Sequence, residues 1–320
     1  MAKVLVAGGA GFLGSHLCRR LIGERHTVYC VDNVISGNKN NIVKLLDNPL
    51  FTFLEHDITG SIESLAARTP GVDCIFHLAS PASPNKNSER SYMNHPIETL
   101  MVNSLGTYNL LMLAKEKQAR FLFASTSEVY GNPAVSPQPE TYFGNVNPNG
   151  PRSVYDEGKR FGEAATFAFL RKYDMDVRII RIFNTYGPNM QKDDGRAVSN
   201  FITQVLIGVP ITIFGNGQQT RSFCYVDDMT DGIMRAMFTN GTKGEVINLG
   251  NPDERSITEI ATMIKDMVGG QSAIAYEPLP QDDPIQRKPD STKAKKLLGW
   301  EPKVPLEEGL KKTIEYFRNA

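Results

Sequence analysis

The sequence predicts an α/β fold: a doubly wound parallel sheet followed, on the carboxyl-terminal side, by a smaller α/β region. Three observations carry that prediction. Short apolar runs alternate with helical patterns from Lys3 to Ile182, the rhythm of successive βαβ units. The first run stops at Gly8-Gly9-Ala10-Gly11-Phe12-Leu13-Gly14 and a helical pattern follows, so strand, glycine turn and helix come in the order a phosphate-binding turn requires. After Gly187-Pro188 the alternation weakens into short pieces. The division falls at 1–183, with some later segments returning to the sheet, and 184–320.

A chain of 320 residues, 41% hydrophobic and 22% charged, is long enough for one large domain and a smaller one. Lys+Arg and Asp+Glu balance at 35 each, which argues against nucleic acid or an anionic membrane surface as partner. Any anion it binds must therefore be met by a few placed residues. Cys18, Cys30, Cys74 and Cys224 are scattered without C-x-x-C or metal-ligand spacing, so they read as buried hydrophobes in a reducing compartment. A cytoplasmic protein without metal is expected. No apolar run approaches the ~20 residues of a membrane span.

Taken in order, Lys3 to Ala7 is the first strand and Ser15 to Ile22 the first helix. Glycines at 8, 11 and 14 permit the tight turn, the close approach of backbone to a pyrophosphate and the packing of helix on strand, with Phe12 and Leu13 opening the helix between them. The second strand, Thr27 to Val31, ends at Asp32, where a carboxylate can accept hydrogen bonds from ribose hydroxyls and would repel a 2′-phosphate. With Asn33 next and no Arg beside it, the cofactor reads as NAD rather than NADP. Phe51 to Glu55 is a third strand, and Asp57-Ile58 after it is either an adenine-edge contact or a plain passage into a loop. The fourth runs from Asp73 to Ala79, where Leu78 and Ala79 leave room for a cofactor. His77 within it is expected to be a satisfied core residue.

The stretch from Asn85 to His95 is polar and reads as a mobile loop. From Pro96 to Gln118 the pattern is helical, with apolar residues around most of the circumference. The helix starting near Tyr155 has the same character, and a helix apolar on more than one side must bury a second face. The two either meet a second copy, giving a homodimer through 96–118 and 155–173, or lie deep in a large domain.

The chemistry centres on two neighbouring stretches. Arg120 to Ala124 is a buried strand, so Thr126, Ser127 and Glu128 leave its carboxyl end, where open α/β sheets place their sites. Tyr155 and Lys159 are four apart on a helix and share a face, so the ammonium can lie beside the phenol and favour its ionised form. That makes a proton acceptor, unless the pair is an ordinary i,i+4 contact. Past Asp176 to Arg181, the next strand, the expected elements are a helix around Asn200 to Ile207, strands near Pro210 to Phe214 and Glu245 to Leu249, a helix preceded by Asp227, and one opened by the capping box Ser256-Ile257-Thr258-Glu259. One helix ends at Leu298-Gly299 and a last one follows Pro305. Arg196, Arg221 and Arg287 stand in loops otherwise poor in positive charge, and arginine's planar fork suits phosphate and carboxylate oxygens. An anionic substrate is expected.

Together, Gly8 to Gly14, His77-Leu78-Ala79, Thr126 to Gly131, Tyr155-x-x-x-Lys159, Arg181 to Pro188 and Arg221-Ser222-Phe223 resemble the extended short-chain dehydrogenase/reductase family that acts on nucleotide sugars. Pro151 to Arg160, Asp194 to Phe201 and Asp282 to Asp290 resemble those members that decarboxylate UDP-glucuronate. The likeness covers nearly the whole chain, and the stretch Asn85 to Ser91 departs from it by being a few residues longer. The resemblance implies a Rossmann-type domain binding NAD, and a UDP-sugar held mostly by the region after residue 184. It implies Thr126, Tyr155 and Lys159 as the oxidation apparatus, Ser127 and Glu128 beside the sugar ring, and Asn184, Arg196, Val198, Arg221 and Arg287 on the UDP-sugar. Sibling activities are 4-epimerisation and 4,6-dehydration; the latter's family motif has an aspartate where this chain has Ser127, and a hydroxyl is a poor general acid. A non-catalytic NAD-binding regulator on the same fold is the reading from another class.

Overall fold

The computed structural model describes residues 1–320. Its strands are β1 (Lys3–Ala7), β2 (Thr27–Asp32), β3 (Phe51–Glu55), β4 (Cys74–His77), β5 (Arg120–Thr126), β6 (Val177–Ile182), β7 (Thr185–Tyr186), β8 (Ile211–Phe214), β9 (Thr220–Ser222), β10 (Cys224–Tyr225), β11 (Val246–Leu249), β12 (Glu254–Ser256), β13 (Ile274–Glu277) and β14 (Gln286–Arg287). The helices are α1 (Phe12–Gly23), α2 (Ile62–Arg68), α3 (Pro96–Met101), α4 (Thr107–Lys117), α5 (Ser153–Tyr173), α6 (Ala197–Leu206), α7 (Val226–Phe238), α8 (Ile257–Val268), α9 (Thr292–Leu298) and α10 (Leu306–Asn319).

Seven strands form one parallel sheet in the order β11-β6-β5-β4-β1-β2-β3. Both faces are buried, so the strands are nearly all apolar and their side chains divide by alternation. In β1, Val4 and Val6 join the core under α1, α7 and α9, while Leu5 and Ala7 join the core under α2, α4 and α5. In β5, Leu122 and Ala124 face the first layer, and Phe121 and Phe123 the second. A third core, including Phe201, Ile260 and Leu310, gathers α6, α8, α10 and β8 on the carboxyl side.

Several local expectations meet differences. Val246–Leu249 pairs with β6 as the seventh sheet strand, and α7 and α9 pack on that sheet. Asp227 lies inside the first turn of α7 rather than before it, because Tyr225 is the N-cap. The capping box at Ser256 forms with both hydrogen bonds in place. The helical run from Pro96 is interrupted by a π-helical turn at Val102–Gly106, where Asn103 is buried and donates to Ser80 Oγ at 2.9 Å. His77 is a core residue, its Nε2 3.0 Å from Thr107 Oγ1, and burial pushes its imidazole down to about 3. All four cysteines are buried thiols.

The segment Asn85 to His95 is folded rather than loose. Ser88, Ser91 and Tyr92 are buried, because their hydroxyls and amides close the loop on itself. Ser91 Oγ donates to Ser83 O at 2.8 Å, Tyr92 N donates to Ser83 O at 3.1 Å, and Asn94 Nδ2 reaches Ser88 O at 2.7 Å.

Candidate active site

Strand order reverses at β1, which has β4 on one side and β2 on the other, and such a switch point opens a crevice at the carboxyl ends of the strands. A cleft of ≈ 330 Å³ lies there. Its floor is backbone. Gly8 has φ +82°, and a Cβ on it would lie 2.6 Å from the backbone nitrogen of Ala79; a Cβ on Gly14 would collide with the carbonyl oxygen of Gly8. Gly11 precedes α1 without a side-chain cap, so the first-turn N–H groups there are available to an anion. Gly8, Gly11, Phe12, Leu13 and Gly14 all line the cleft.

Asp32 closes β2 at the cleft edge. Its Oδ2 accepts from Ala10 N at 2.9 Å and its Oδ1 from Val34 N at 2.8 Å. Burial raises this carboxyl above its ordinary range, against the backbone N–H groups that favour its anion. Asn33 Nδ2 donates to Asp57 Oδ2 at 2.9 Å, and Asn33, Asp57, Ile58, Leu78 and Ala79 continue the lining. The bare glycine turn, the uncapped helix end and the carboxylate at the tip of β2 fit a dinucleotide with free ribose hydroxyls.

The reacting groups come from β5 and α5. Thr126 ends β5 and its Oγ1 accepts from Glu128 N at 3.2 Å, capping the short turn Ser127–Tyr130. A Cβ on Gly162 would strike the Phe123 ring, so glycine there lets α5 lie close to the sheet and brings Tyr155 and Lys159 to the end of β5. Thr126, Ser127, Glu128, Tyr155 and Lys159 share the cleft wall.

The electrostatics of this pair differ from the sequence expectation. Lys159 donates to Ala124 O at 2.9 Å, and its Nζ stands 5.8 Å from the centre of the Tyr155 ring. Burial pulls the ammonium down to about 7. Burial likewise pushes the phenol up to about 12, with the Thr126 hydroxyl opposing. The cause is desolvation: both groups are buried, and neither has a counter-charge close enough to offset the loss of water. Tyr92, from the folded 85–95 segment, stacks on Tyr155 with ring centres 5.2 Å apart and planes within 9°.

Beyond Glu128 the site is made of charge. Glu128 accepts from both terminal nitrogens of Arg287, with Nη2 at 3.0 Å, and from Arg152 Nη2 at 2.8 Å. Asp283 bridges Arg152 Nη1 at 3.1 Å and Arg221 Nη2 at 3.0 Å. The two arginines hold Glu128 below the carboxylate range despite the burial that opposes them. Asp156, one residue after Tyr155, has an orphaned Oδ1 and is pushed up to about 8 by burial and then by Glu128. Three guanidinium groups, those of Arg152, Arg221 and Arg287, thus share Glu128 and Asp283 as their paired carboxyl groups.

The predicted substrate residues separate into two groups. Asn184 and Arg196 line the cleft, where Arg196 is paired with Asp194 through Nε at 2.5 Å and Nη2 at 2.7 Å. Val198 lies in the third core, and Arg221 and the 2% exposed Arg287 lie in the charge cluster; none of these three lines the cleft. Sequence reasoning missed Arg152, Asp283, Asp156 and Tyr92 as members of the site. Arg152 stands one helical turn before Tyr155, a spacing that could have found it; Asp283 and Tyr92 are placed by tertiary contacts alone.

The chain belongs to the NAD dependent epimerase/dehydratase family, which it matches over residues 4–250. Within that class, UDP-glucuronic acid decarboxylase 1 of Xenopus tropicalis is 50% identical over 316 residues, covering 99% of this chain and 72% of the relative. UDP-glucuronic acid decarboxylase 5 of Arabidopsis thaliana is 50% identical over 317 residues, covering 99% of this chain and 89% of the relative. Among solved structures, UDP-glucuronic acid 4-epimerase from Bacillus cereus, in complex with UDP-glucuronic acid and NAD, superposes with a TM-score of 0.89 at 30% identity over 99% of both chains.

Proposed function

We propose that this protein is an NAD-dependent UDP-glucuronate decarboxylase that forms UDP-xylose through a C4-keto sugar, redox-neutral overall. The observation that carries this reading is the excess of guanidinium charge on Glu128 and Asp283, one turn from the buried Tyr155, since an acid sugar supplies the missing anion. The half-identical relatives named for this reaction support it against 4-epimerisation.

When bound, NAD supplies a reversible hydride acceptor for C4. Gly8, Gly11, Phe12, Leu13, Gly14, Asp32, Asn33, Asp57, Ile58, Leu78 and Ala79 would hold it, with Tyr155 and Lys159 at its reactive end. Tyr155 takes the C4 hydroxyl proton, which requires its phenol to come down from about 12; a protonated Lys159 one turn away is the group able to lower it. Oxidation at C4 leaves a ketone two carbons from the C6 carboxylate. The C5–C6 bond breaks, CO₂ departs, and the electron pair delocalises onto the ketone oxygen, where the Tyr155 and Thr126 hydroxyls donate hydrogen bonds to the enolate. C5 is then protonated and C4 reduced. Ser127 and Glu128 flank the ring, and Arg287 orients the carboxylate and then follows the charge toward the enolate. Asn184, Arg196, Val198 and Arg221 serve the UDP part, so that residues 1–183 hold mainly the cofactor and 184–320 mainly the substrate.

Turnover of UDP-glucuronate should release CO₂ and a UDP-pentose without net change in reduced-cofactor absorbance. Formation of UDP-galacturonate without CO₂, or reduced cofactor accumulating in step with product, would overturn the reading. A homodimer is part of it: Ile97 (65% exposed), Met101, Leu105, Tyr108 and Phe161 (51% exposed) stand on the outer faces of the 96–117 helical run and α5, and light scattering at micromolar concentration should give twice the 35.5 kDa chain mass. No helix is long and apolar enough to cross a membrane, and a cytoplasmic location is proposed with it.

A further inference from the structure

The segment Asn85 to Ser91, read from the sequence as longer than its counterpart in the family the chain resembles, brings one residue, Arg90, to the lining of the cleft. It is built to stay there. Asn85 Nδ2 donates to Asp193 O at 3.0 Å and Ser88 Oγ to Asp193 Oδ2 at 2.8 Å, while Ser83 Oγ donates to Asp194 O. These bonds tie it to the turn that carries Arg196. A Cβ on Gly195, whose φ is +87°, would strike Asn85, so the two loops meet at backbone distance.

Arg90 sits between the buried Ser88 and Ser91, its own N–H donating to Ser88 Oγ at 3.3 Å, and it lines the cleft. Among the arginines and lysines of that lining, Arg196 is paired with Asp194 and Lys159 is spent on the Ala124 carbonyl. The Arg90 guanidinium has neither a hydrogen bond nor an ion pair. Residues 8–15 offer an anion only backbone N–H groups, having no basic side chain. A half-buried cation held on a tied-down loop lines the same cleft as a glycine turn without basic side chains, so an anion bound there would find the unpaired guanidinium within the same lining.

We infer that Arg90 is a diphosphate-binding residue, the 85–91 segment serving to bring a guanidinium to the cleft. Two diphosphates meet this chemistry, that of the dinucleotide and that of the nucleotide sugar. The inference rests on the proposed function for both ligands, but its test uses binding and needs no turnover.

Calorimetric titration with ADP-ribose and, separately, with UDP tests it on wild type, R90Q and R90K at low and high salt. R90Q should bind one of the two about tenfold more weakly, the scale of a charge-assisted hydrogen bond, and R90K should recover part of the loss. The affinity lost should also be the salt-sensitive share, so the salt slope flattens in R90Q; a merely structural loop residue would leave that slope unchanged. Loss confined to ADP-ribose assigns Arg90 to the cofactor, and loss confined to UDP assigns it to the substrate. R90Q within twofold of wild type for both ligands, or both weakened equally with an unaltered salt slope, overturns the inference while the function stands. Wild type binding neither ligand overturns the function and the inference together.

Discussion

The cleft and the charge cluster that adjoins it at Glu128 are made of different materials. The part of the cleft proposed for the cofactor is backbone: a glycine turn, an uncapped helix end and one carboxylate tied to two main-chain N–H groups. The cluster proposed to meet the substrate is side-chain charge: Glu128, Arg152, Asp156, Asp283, Arg221 and Arg287, drawn from positions as far apart as 128 and 287. A backbone site fails when something is added to it, whereas a charge network fails when something is taken away. Tyr155 sits at the seam between them.

The seam gives the largest expected effect. Tyr155→Phe should lower kcat by ~10²–10⁴, the usual contribution of a general acid–base group, with NAD and UDP affinities nearly unchanged because neither the backbone site nor the cluster is touched. A mutant retaining most of its kcat would remove Tyr155 from the chemistry. Next comes the charge cluster. Arg287→Ala should cost on the order of 2–4 kcal/mol in kcat/KM for UDP-glucuronate, while affinity for free NAD⁺ stays within about twofold, the limit expected for an uncoupled site. Glu128 would keep Arg152 but lose its bidentate partner. If NAD⁺ affinity fell in parallel with kcat/KM, the separation of backbone site and cluster would be false.

The backbone site is broken by addition. Gly14→Ala forces a methyl against the Gly8 carbonyl, and overpacking of this kind typically costs ~1–3 kcal/mol. The loss should appear in NAD affinity and in thermal stability, whereas the charge network lies outside the strained turn. Unchanged NAD affinity in Gly14→Ala would mean that the turn relaxes freely and does not shape the cofactor site.

The same contrast explains what could be read from the sequence. The backbone site is local: Gly8 to Gly14 fold with their own neighbours, and Asp32 follows in the same βαβ unit, so spacing alone placed all of them in the cleft. Thr126 and Tyr155 were legible for a similar reason, as the end of one strand and the start of the next helix. The charge cluster escaped because its partners are long-range. Nothing near Arg287 announces that Glu128 will clasp it, and nothing near Arg221 points to Asp283. Burial also reversed a local inference, since the spacing of Tyr155 and Lys159 promised a lowered phenol and desolvation raised it. Likewise the polar composition of 85–95 suggested mobility, but its serines and asparagines spend their polarity on one another and on the turn at 193–195.

The last test concerns Asp156, and it asks whether the charge cluster is short of an anion or of a cation. Its carboxyl is raised to about 8, first by burial and then by Glu128, from an ordinary value of 3.8. Between those two values the folded protein holds a proton that the unfolded chain has released, so stability must fall as pH rises through the window. Lys159, lowered to about 7 from 10.5, acts with the opposite sign from pH 7 upward, because there the unfolded chain holds the extra proton. The two overlap in a pH scan of wild type alone. Comparing wild type with Asp156→Asn at each pH cancels the lysine and isolates the aspartate: the variant's melting temperature relative to wild type should rise steadily from pH 4 to pH 8 and level off above. No such slope should appear in NAD⁺ affinity, which belongs to the backbone site. A melting-temperature difference independent of pH would show that Asp156 is already ionised at pH 4, paired by Arg152 and Arg287. The cluster would then count three carboxylates against three guanidiniums, with no positive charge left over for an acid sugar.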